Sequence, residues 1–168
     1  MYLKKLFRVV IILLLFNYIY NSVSDNKLVT EKVDNIILNK EKVNVDYLYI
    51  SKFNYKGLIK MGEYNDILDS NYILRINNNS NITSNYFNIV LAGHNNKYVF
   101  SCIYRLEIGD KIELHLDNVI YEFYVSNIKK VNINDTYILD NSNNQRILTL
   151  ITCTNDNQRR YVVKCSLT

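Results

Sequence analysis

The chain has 168 residues, enough for one domain with one buried core once an apolar N-terminus is set aside. Its 20 Lys and Arg against 16 Asp and Glu leave a net charge of +4, scattered along the chain rather than gathered on one face. That argues against nucleic acid as a partner. Three cysteines, Cys102, Cys153 and Cys165, are odd in number and have no CxxC or Cys/His ligand spacing. A disulfide framework and a structural zinc site are therefore not expected. Nothing in the sequence suggests a calcium-binding acidic cluster, so the activity is expected to need no metal or cofactor.

At the N-terminus, Lys4, Lys5 and Arg8 precede the apolar run Val9–Phe16, which resumes after Asn17 through Tyr18, Ile19 and Tyr20. Positive charge ahead of an apolar segment keeps the N-terminus in the cytoplasm and sends the remainder across the membrane. Residues 1–22 are read as a single-pass membrane anchor, although a full span takes about 17–25 apolar residues and this run is shorter. A cleaved signal peptide ending at the small residues Ser22-Val23-Ser24 is the alternative. In both readings the domain is exported. Residues 23–45 are polar and read as a spacer with some helix around Lys32–Lys42, and residues 46–168 form the folded domain.

Within that domain, strand-like segments dominate. Tyr47–Lys52 and Gly57–Met61 come first, and a turn-rich region around Asn77–Asn85 leads to the apolar run Phe87–Ala92. Leu106–Asp110 reads as a turn into Lys111–Leu116, whose even positions are apolar, the period-2 pattern of a half-buried strand. Asp117-Asn118 is a hairpin signal, and Val119–Val125 is the returning strand. Arg146–Thr152 and Arg160–Leu167 close the chain. Helical patterns are brief, at Glu63–Asp69 and Tyr98–Arg105. The fold class predicted is all-β: a closed barrel of about seven or eight strands with two short helices.

Three features of this scaffold carry chemistry. Leu91-Ala-Gly-His94 delivers a histidine at the end of a buried strand, Thr149-Leu-Ile-Thr-Cys153 delivers a cysteine in the same way, and Arg159-Arg160 opens the last strand after a short loop. Strand ends beside loops are where a rigid scaffold presents reactive groups. Taken singly, each has an ordinary structural explanation: a buried thiol, a turn histidine, a solvated arginine. An unpaired thiol in an exported domain, however, points to chemistry, because such domains tend to avoid free cysteine unless they use it.

Together these residues resemble the sortase family. Thr149–Cys153 matches the family's TLxTC signature at every fixed position, Ala92-Gly-His94 matches its histidine strand, and an arginine follows the cysteine at the family's spacing. Leu106–Ile112 also resembles the turn after the family's histidine loop, and the likeness spans about residues 46–168. Alternate strand residues share a face, which puts Arg160 with Val162 and Lys164, away from the apolar set Tyr161, Val163 and Cys165. Arg160 is therefore preferred over Arg159.

The resemblance implies a sortase-type barrel and a cysteine transpeptidase. Cys153 would attack an LPXTG-like C-terminal sorting signal to give a thioester, His94 would exchange protons with the leaving and incoming amines, and Arg160 would stabilise the oxyanion. A free thiol ionises near 8.5, so a cationic neighbour is wanted in any case. Thr152, Thr154 and Asn95, next to these residues, are candidates for touching substrate. The partners implied are sorting-signal peptides and an amine acceptor of the peptidoglycan precursor, with the enzyme a monomer held at the membrane.

Cys102 and Cys165 read as structural, and His115 as an exposed residue on a polar strand face. With no Pro for an Asp-Pro-aromatic lid and short loops after Val131 and Thr154, the chain is closer to class D or A than to the pilus-assembling or iron-acquisition types. A cysteine hydrolase and a non-catalytic exported barrel serving as adhesin or scaffold stay open as rival readings.

Overall fold

Tyr2–Asn39 forms one unbroken helix, α1, of 38 residues, a stretch containing neither Gly nor Pro to interrupt it. The computed structural model describes residues 2–39, 45–62, 71–76, 80–141 and 144–167. The first half of α1 exposes a continuous apolar surface that includes Phe7, Val10–Phe16, Tyr18, Ile19 and Tyr20. Among the described residues, no helix is long and apolar enough to cross a membrane.

The stretch read as a spacer is helical as far as Asn39 and docks on the domain: Val29, Thr30 and Val33 are buried. The Thr30 hydroxyl donates to the Asn54 carbonyl at 2.7 Å, and Lys56 pairs with Asp34. Apolar positions at i and i+4 put Val29 and Val33 on one stripe of the helix, and that stripe is the one the barrel covers.

Eight strands follow: β1 (Tyr47–Ile50), β2 (Tyr55–Met61), β3 (Ile73–Ile76), β4 (Phe87–Ala92), β5 (Lys111–Leu116), β6 (Val119–Asn132), β7 (Arg146–Cys153) and β8 (Arg159–Leu167). They close into a barrel in the order β1-β2-β3-β4-β7-β8-β6-β5, with β5 returning to pair with β1. The pairs β2/β3 and β4/β7 are parallel and the remaining pairs antiparallel.

Closure leaves no open sheet edge and encloses a core that includes Leu48, Ile50, Phe87, Leu91, Phe123, Leu148, Leu150, Val163 and Cys165. Each such side chain contributes about 1.5–3 kcal/mol by leaving water. The β5–β6 hairpin turns on Asp117 (φ 52°) and Asn118 (φ 64°), both left-handed as a type I′ turn requires.

Several local expectations need correction. β3 has four residues without polar alternation, so nothing in its pattern separated it from loop; both its neighbours in the barrel are needed to define it. β6 continues to Asn132, past an irregularity between Val125 and Asn127 that resets its register against β8. Tyr98–Arg105 is a turn followed by a 3-10 helix at Ser101–Arg105, and Phe100, Cys102 and Ile103 are buried in the barrel core. The other helical pattern, Glu63–Asp69, and residues 77–79 of the turn-rich region lie outside the described residues. His115 is not simply exposed: its ring stacks on Tyr47 at 4.0 Å and lies 3.2 Å from the Glu113 carboxylate.

A second apolar cluster, Val90, Val131, Ile138, Ile151 and Val162, occupies the opposite face of β4, β7 and β8 from the core. It is covered by the connection between β6 and β7, which contains a 3-10 helix at Thr136–Leu139. Asn88 on β4 ties that connection down. Its amide donates to the carbonyls of Ile138 (3.0 Å) and Asp140 (2.9 Å), and its oxygen accepts from the Thr149 hydroxyl (2.6 Å).

Candidate active site

β4 and β7 run parallel, with β4 ending two residues before β7, and this brings the histidine and cysteine segments side by side. The register pairs Ala92 with Ile151, and one further bond links the Gly93 N–H to the Ile151 carbonyl at 3.0 Å. The chain then leaves the sheet at His94. Gly93 is required here by packing rather than by its backbone angles. A Cβ on it would lie 2.5 Å from Val99 Cγ1 and 2.8 Å from Phe100 Cδ2, both buried side chains. The histidine loop is folded so tightly against its own strand end that only hydrogen fits.

Cys153 is the last residue of β7, and its register partner on β8 is Arg160. Directly opposed residues on an antiparallel pair share a face. That face also carries Ile151 and Val162 of the second cluster, whereas Val163 and Cys165 point into the core. The Arg160 guanidinium consequently reaches the thiol, with Nη1 donating to Sγ at 3.4 Å. Arg159 is exposed and has a different role: its carbonyl accepts from the Thr154 N–H at 2.9 Å, closing the loop after the cysteine.

His94 and Cys153 line one open groove of about 450 Å³ together with Asn95, Asn96, Asn155 and Asn157. Asn95 also donates to the Asn155 side chain at 2.8 Å, a bridge between the loops that follow His94 and Cys153. The structure does not bring Thr152 and Thr154 into this groove. The Thr152 side chain lies on the opposite face of β7 from Cys153, and its hydroxyl donates to the Gly93 carbonyl at 2.8 Å. Thr154 is buried, and its hydroxyl is engaged by the Asp156 carboxylate, the Arg159 carbonyl and the Arg159 N–H. Hydrogen bonds from the Thr154 hydroxyl and the Gln158 N–H hold the Asp156 carboxyl below the usual carboxylate range. Both threonines thus brace the strand end and its loop.

The groove residues Asn96, Asn155 and Asn157 carried no separate sequence signal in a chain so rich in asparagine. Asn155 and Asn157, the latter left-handed at φ 58°, sit in a turn that the Thr-Asn-Asp-Asn stretch could have suggested.

The other two thiols are remote from water. Burial pushes the Cys102 thiol up to about 12 and raises Cys165 further. Cys153 is the one cysteine that is only partly buried. Among the described residues, no group of three or more His, Cys, Asp and Glu is placed to hold a metal.

A partly open thiol beside a guanidinium, in a groove shared with an imidazole, is the equipment of thiol-dependent acyl transfer. Comparison with known proteins agrees with that class. Residues 48–168 match the sortase domain model. The chain belongs to the sortase family, whose members are cysteine transpeptidases.

It is similar to sortase A of Bacillus anthracis, at 38% identity over 81 residues, a match covering 45% of this chain and 38% of that enzyme. Among solved structures it resembles a sortase D5 transpeptidase of Clostridium perfringens (TM-score 0.66, 26% identity), covering 88% of this chain and 96% of that one. A sortase C of the same species shares the fold (TM-score 0.65, 24% identity, 88% and 90% covered).

Proposed function

We propose that this chain is a sortase that cleaves an LPXTG-like C-terminal sorting signal and transfers the released protein to an amine of the cell wall. The observation that carries the reading is the 3.4 Å contact between Arg160 Nη1 and Cys153 Sγ at the edge of the groove that holds His94. The Cys153 thiolate attacks the carbonyl carbon of the scissile bond, and Arg160 donates to the oxygen that becomes negative. In many acyl-transfer enzymes the N–H following the nucleophile helps with that charge. Here that N–H, from Thr154, is already committed to the Arg159 carbonyl, so the burden falls on the guanidinium.

As the tetrahedral intermediate collapses, the C–N bond breaks and the leaving amine takes a proton from His94. A thioester on Cys153 remains. The acceptor amine attacks it, gives a proton to His94, and the thiolate returns.

The partly buried Ala92 and Leu139, which pack against the cluster on the face that bears Cys153, suit the apolar part of a sorting signal. All three reacting side chains come from one chain, which supports a monomer. The likeness to the D5 enzyme along nearly its whole length supports a class D-like assignment. The exposed apolar surface of α1, behind the basic residues Lys4, Lys5 and Arg8, supports a membrane tether with the N-terminus inside and residues 46–168 outside.

The test is a panel of sorting-signal peptides with and without an amine acceptor, using full-length protein in detergent. A covalent adduct on Cys153 by mass spectrometry and an amine-dependent ligation product are expected, both abolished in Cys153→Ala. Peptide cleavage that the amine never diverts into product would make the enzyme a hydrolase. Failure to form any adduct would remove the catalytic reading.

A further inference from the structure

The peptide unit that follows Cys153 lies where the sheet has run out on one side. β4 accompanies β7 only as far as Ala92 and the Gly93 N–H, after which the chain turns away into the histidine loop. The Cys153 carbonyl therefore has no strand beside it to supply an N–H. It accepts instead from the phenol of Tyr104, which the 3-10 helix Ser101–Arg105 carries to that spot. The N–H of the same peptide unit, that of Thr154, donates to the Arg159 carbonyl at 2.9 Å. Carbonyl and N–H of a planar trans peptide point in opposite directions, so these two bonds clamp the plane from both sides.

We infer that Tyr104 is a positioning residue for catalysis: its hydroxyl replaces the missing rung of β4 and fixes the backbone that aims the Cys153 thiol at Arg160. The inference rests on the reading of Cys153 as the nucleophile.

The phenol is itself held. Its ring packs on that of Tyr161 at 4.5 Å between centroids, and Tyr161 is the register partner of Thr152. Thr152 in turn bonds the Gly93 carbonyl, so one chain of contacts links the histidine strand end, the cysteine strand end and the 3-10 helix between them. Burial raises the Tyr104 pKa, and the neighbouring charge of Cys153 raises it further. The hydroxyl accordingly stays protonated, and remains a donor, when the thiol ionises. Cys153 marks the end of β7, where fraying is otherwise expected, and a shift there by a fraction of an ångström is enough to lengthen the 3.4 Å approach of Arg160.

The test compares full-length wild-type protein with Tyr104→Phe, which removes one oxygen and leaves the ring on Tyr161. With a fluorogenic sorting-signal peptide, kcat is expected to fall about five- to twentyfold while KM stays within about twofold, the pattern of lost orientation rather than lost binding. The melting temperature should stay within about 2 °C of wild type, since one hydrogen bond contributes little to global stability. Tyr104→Leu, which also removes the ring contact, should lower both kcat and melting temperature.

An unchanged kcat in Tyr104→Phe overturns the positioning role. So does a fall in kcat that merely tracks a large fall in melting temperature or a rise in KM. Wild-type protein that forms no Cys153 thioester would bring down the functional reading and this role together. Wild-type turnover with an indifferent Tyr104→Phe would bring down this role alone.

Discussion

Replacing Gly93 by alanine adds one methyl group at the junction of β4 and the histidine loop. That methyl would sit 2.5 Å from Val99 Cγ1, 2.8 Å from Phe100 Cδ2 and 3.1 Å from Phe100 Cγ, where unstrained carbon contacts need about 3.5 Å or more. Neither neighbour has room to retreat: Val99 is 1% exposed and Phe100 fully buried, and both belong to the barrel core. Overpacking of this kind costs about 1–3 kcal/mol, which leaves most single domains folded. The strain can escape only through the chain segment on the open side, Gly93 and His94.

A displacement of His94 by about 1 Å is worth on the order of a hundredfold in rate when the group moves a proton in the reaction. Gly93→Ala should therefore show a modestly lower urea midpoint and a disproportionate loss of kcat for peptide transfer, with the protein still cooperative and fully folded at the assay temperature. Retention of kcat within about threefold in a destabilised Gly93→Ala protein would refute the reasoning, because it would show that the loop absorbs the methyl without moving the imidazole.

Arg160→Lys should lose about 10²–10³ in kcat, since an ammonium on a different stem cannot reproduce the guanidinium fork at 3.4 Å from the sulfur; steady-state kinetics decide it. A thiol reagent should modify one cysteine rapidly in the native protein and all three after denaturation, because Cys102 and Cys165 are buried and their thiols are pushed up. Asn88→Ala should cost about 2–4 kcal/mol by leaving the Ile138 carbonyl, the Asp140 carbonyl and the Thr149 hydroxyl without this partner, and should also raise KM as the β6–β7 connection loosens. Burial pushes the Glu113 carboxyl up, but hydrogen bonds from Lys111 and His115 outweigh it and hold the group below its ordinary value. Its contribution is then complete above the unfolded-state pKa and lost as pH falls through the lower folded one. The stability gap between wild type and Glu113→Gln should be flat near neutrality and close below about pH 4, read from urea midpoints across that range.

The barrel was legible wherever strands alternate or end in a marked turn. Lys111–Leu116 reads directly as buried even positions, and Asp117-Asn118 as the turn that both residues then adopt with positive φ. Strand parity was enough to separate Arg160 from Val163 and Cys165 before any coordinates, and the register with Cys153 has the same parity. What failed was anything decided by a distant neighbour. β3 is a strand only because β2 and β4 flank it, and the second half of β6 because β8 lies beside it. His115 sits on a polar strand face by sequence, yet the aromatic ring of β1 covers it. The helix beyond Asn21 looked like a polar spacer because the apolar residues that meet the barrel, Val29 and Val33 among them, are interspersed with polar ones.

The same distinction explains why Thr152 and Thr154 looked like substrate contacts. Adjacency to a nucleophile in sequence places a residue near it but says nothing about which way its side chain points, and in a strand the immediate neighbours point to the other face. Thr152 follows that rule, and its hydroxyl joins β7 to Gly93. Thr154 is past the strand and closes the turn with Asp156 and Arg159. Tyr104, 49 positions away from Cys153, touches its carbonyl because β4 stops two residues short of where β7 does. The site is built where parallel strands run out of partners. Groups from the adjoining loops fill the unpaired positions, as the Tyr104 hydroxyl does at the Cys153 carbonyl.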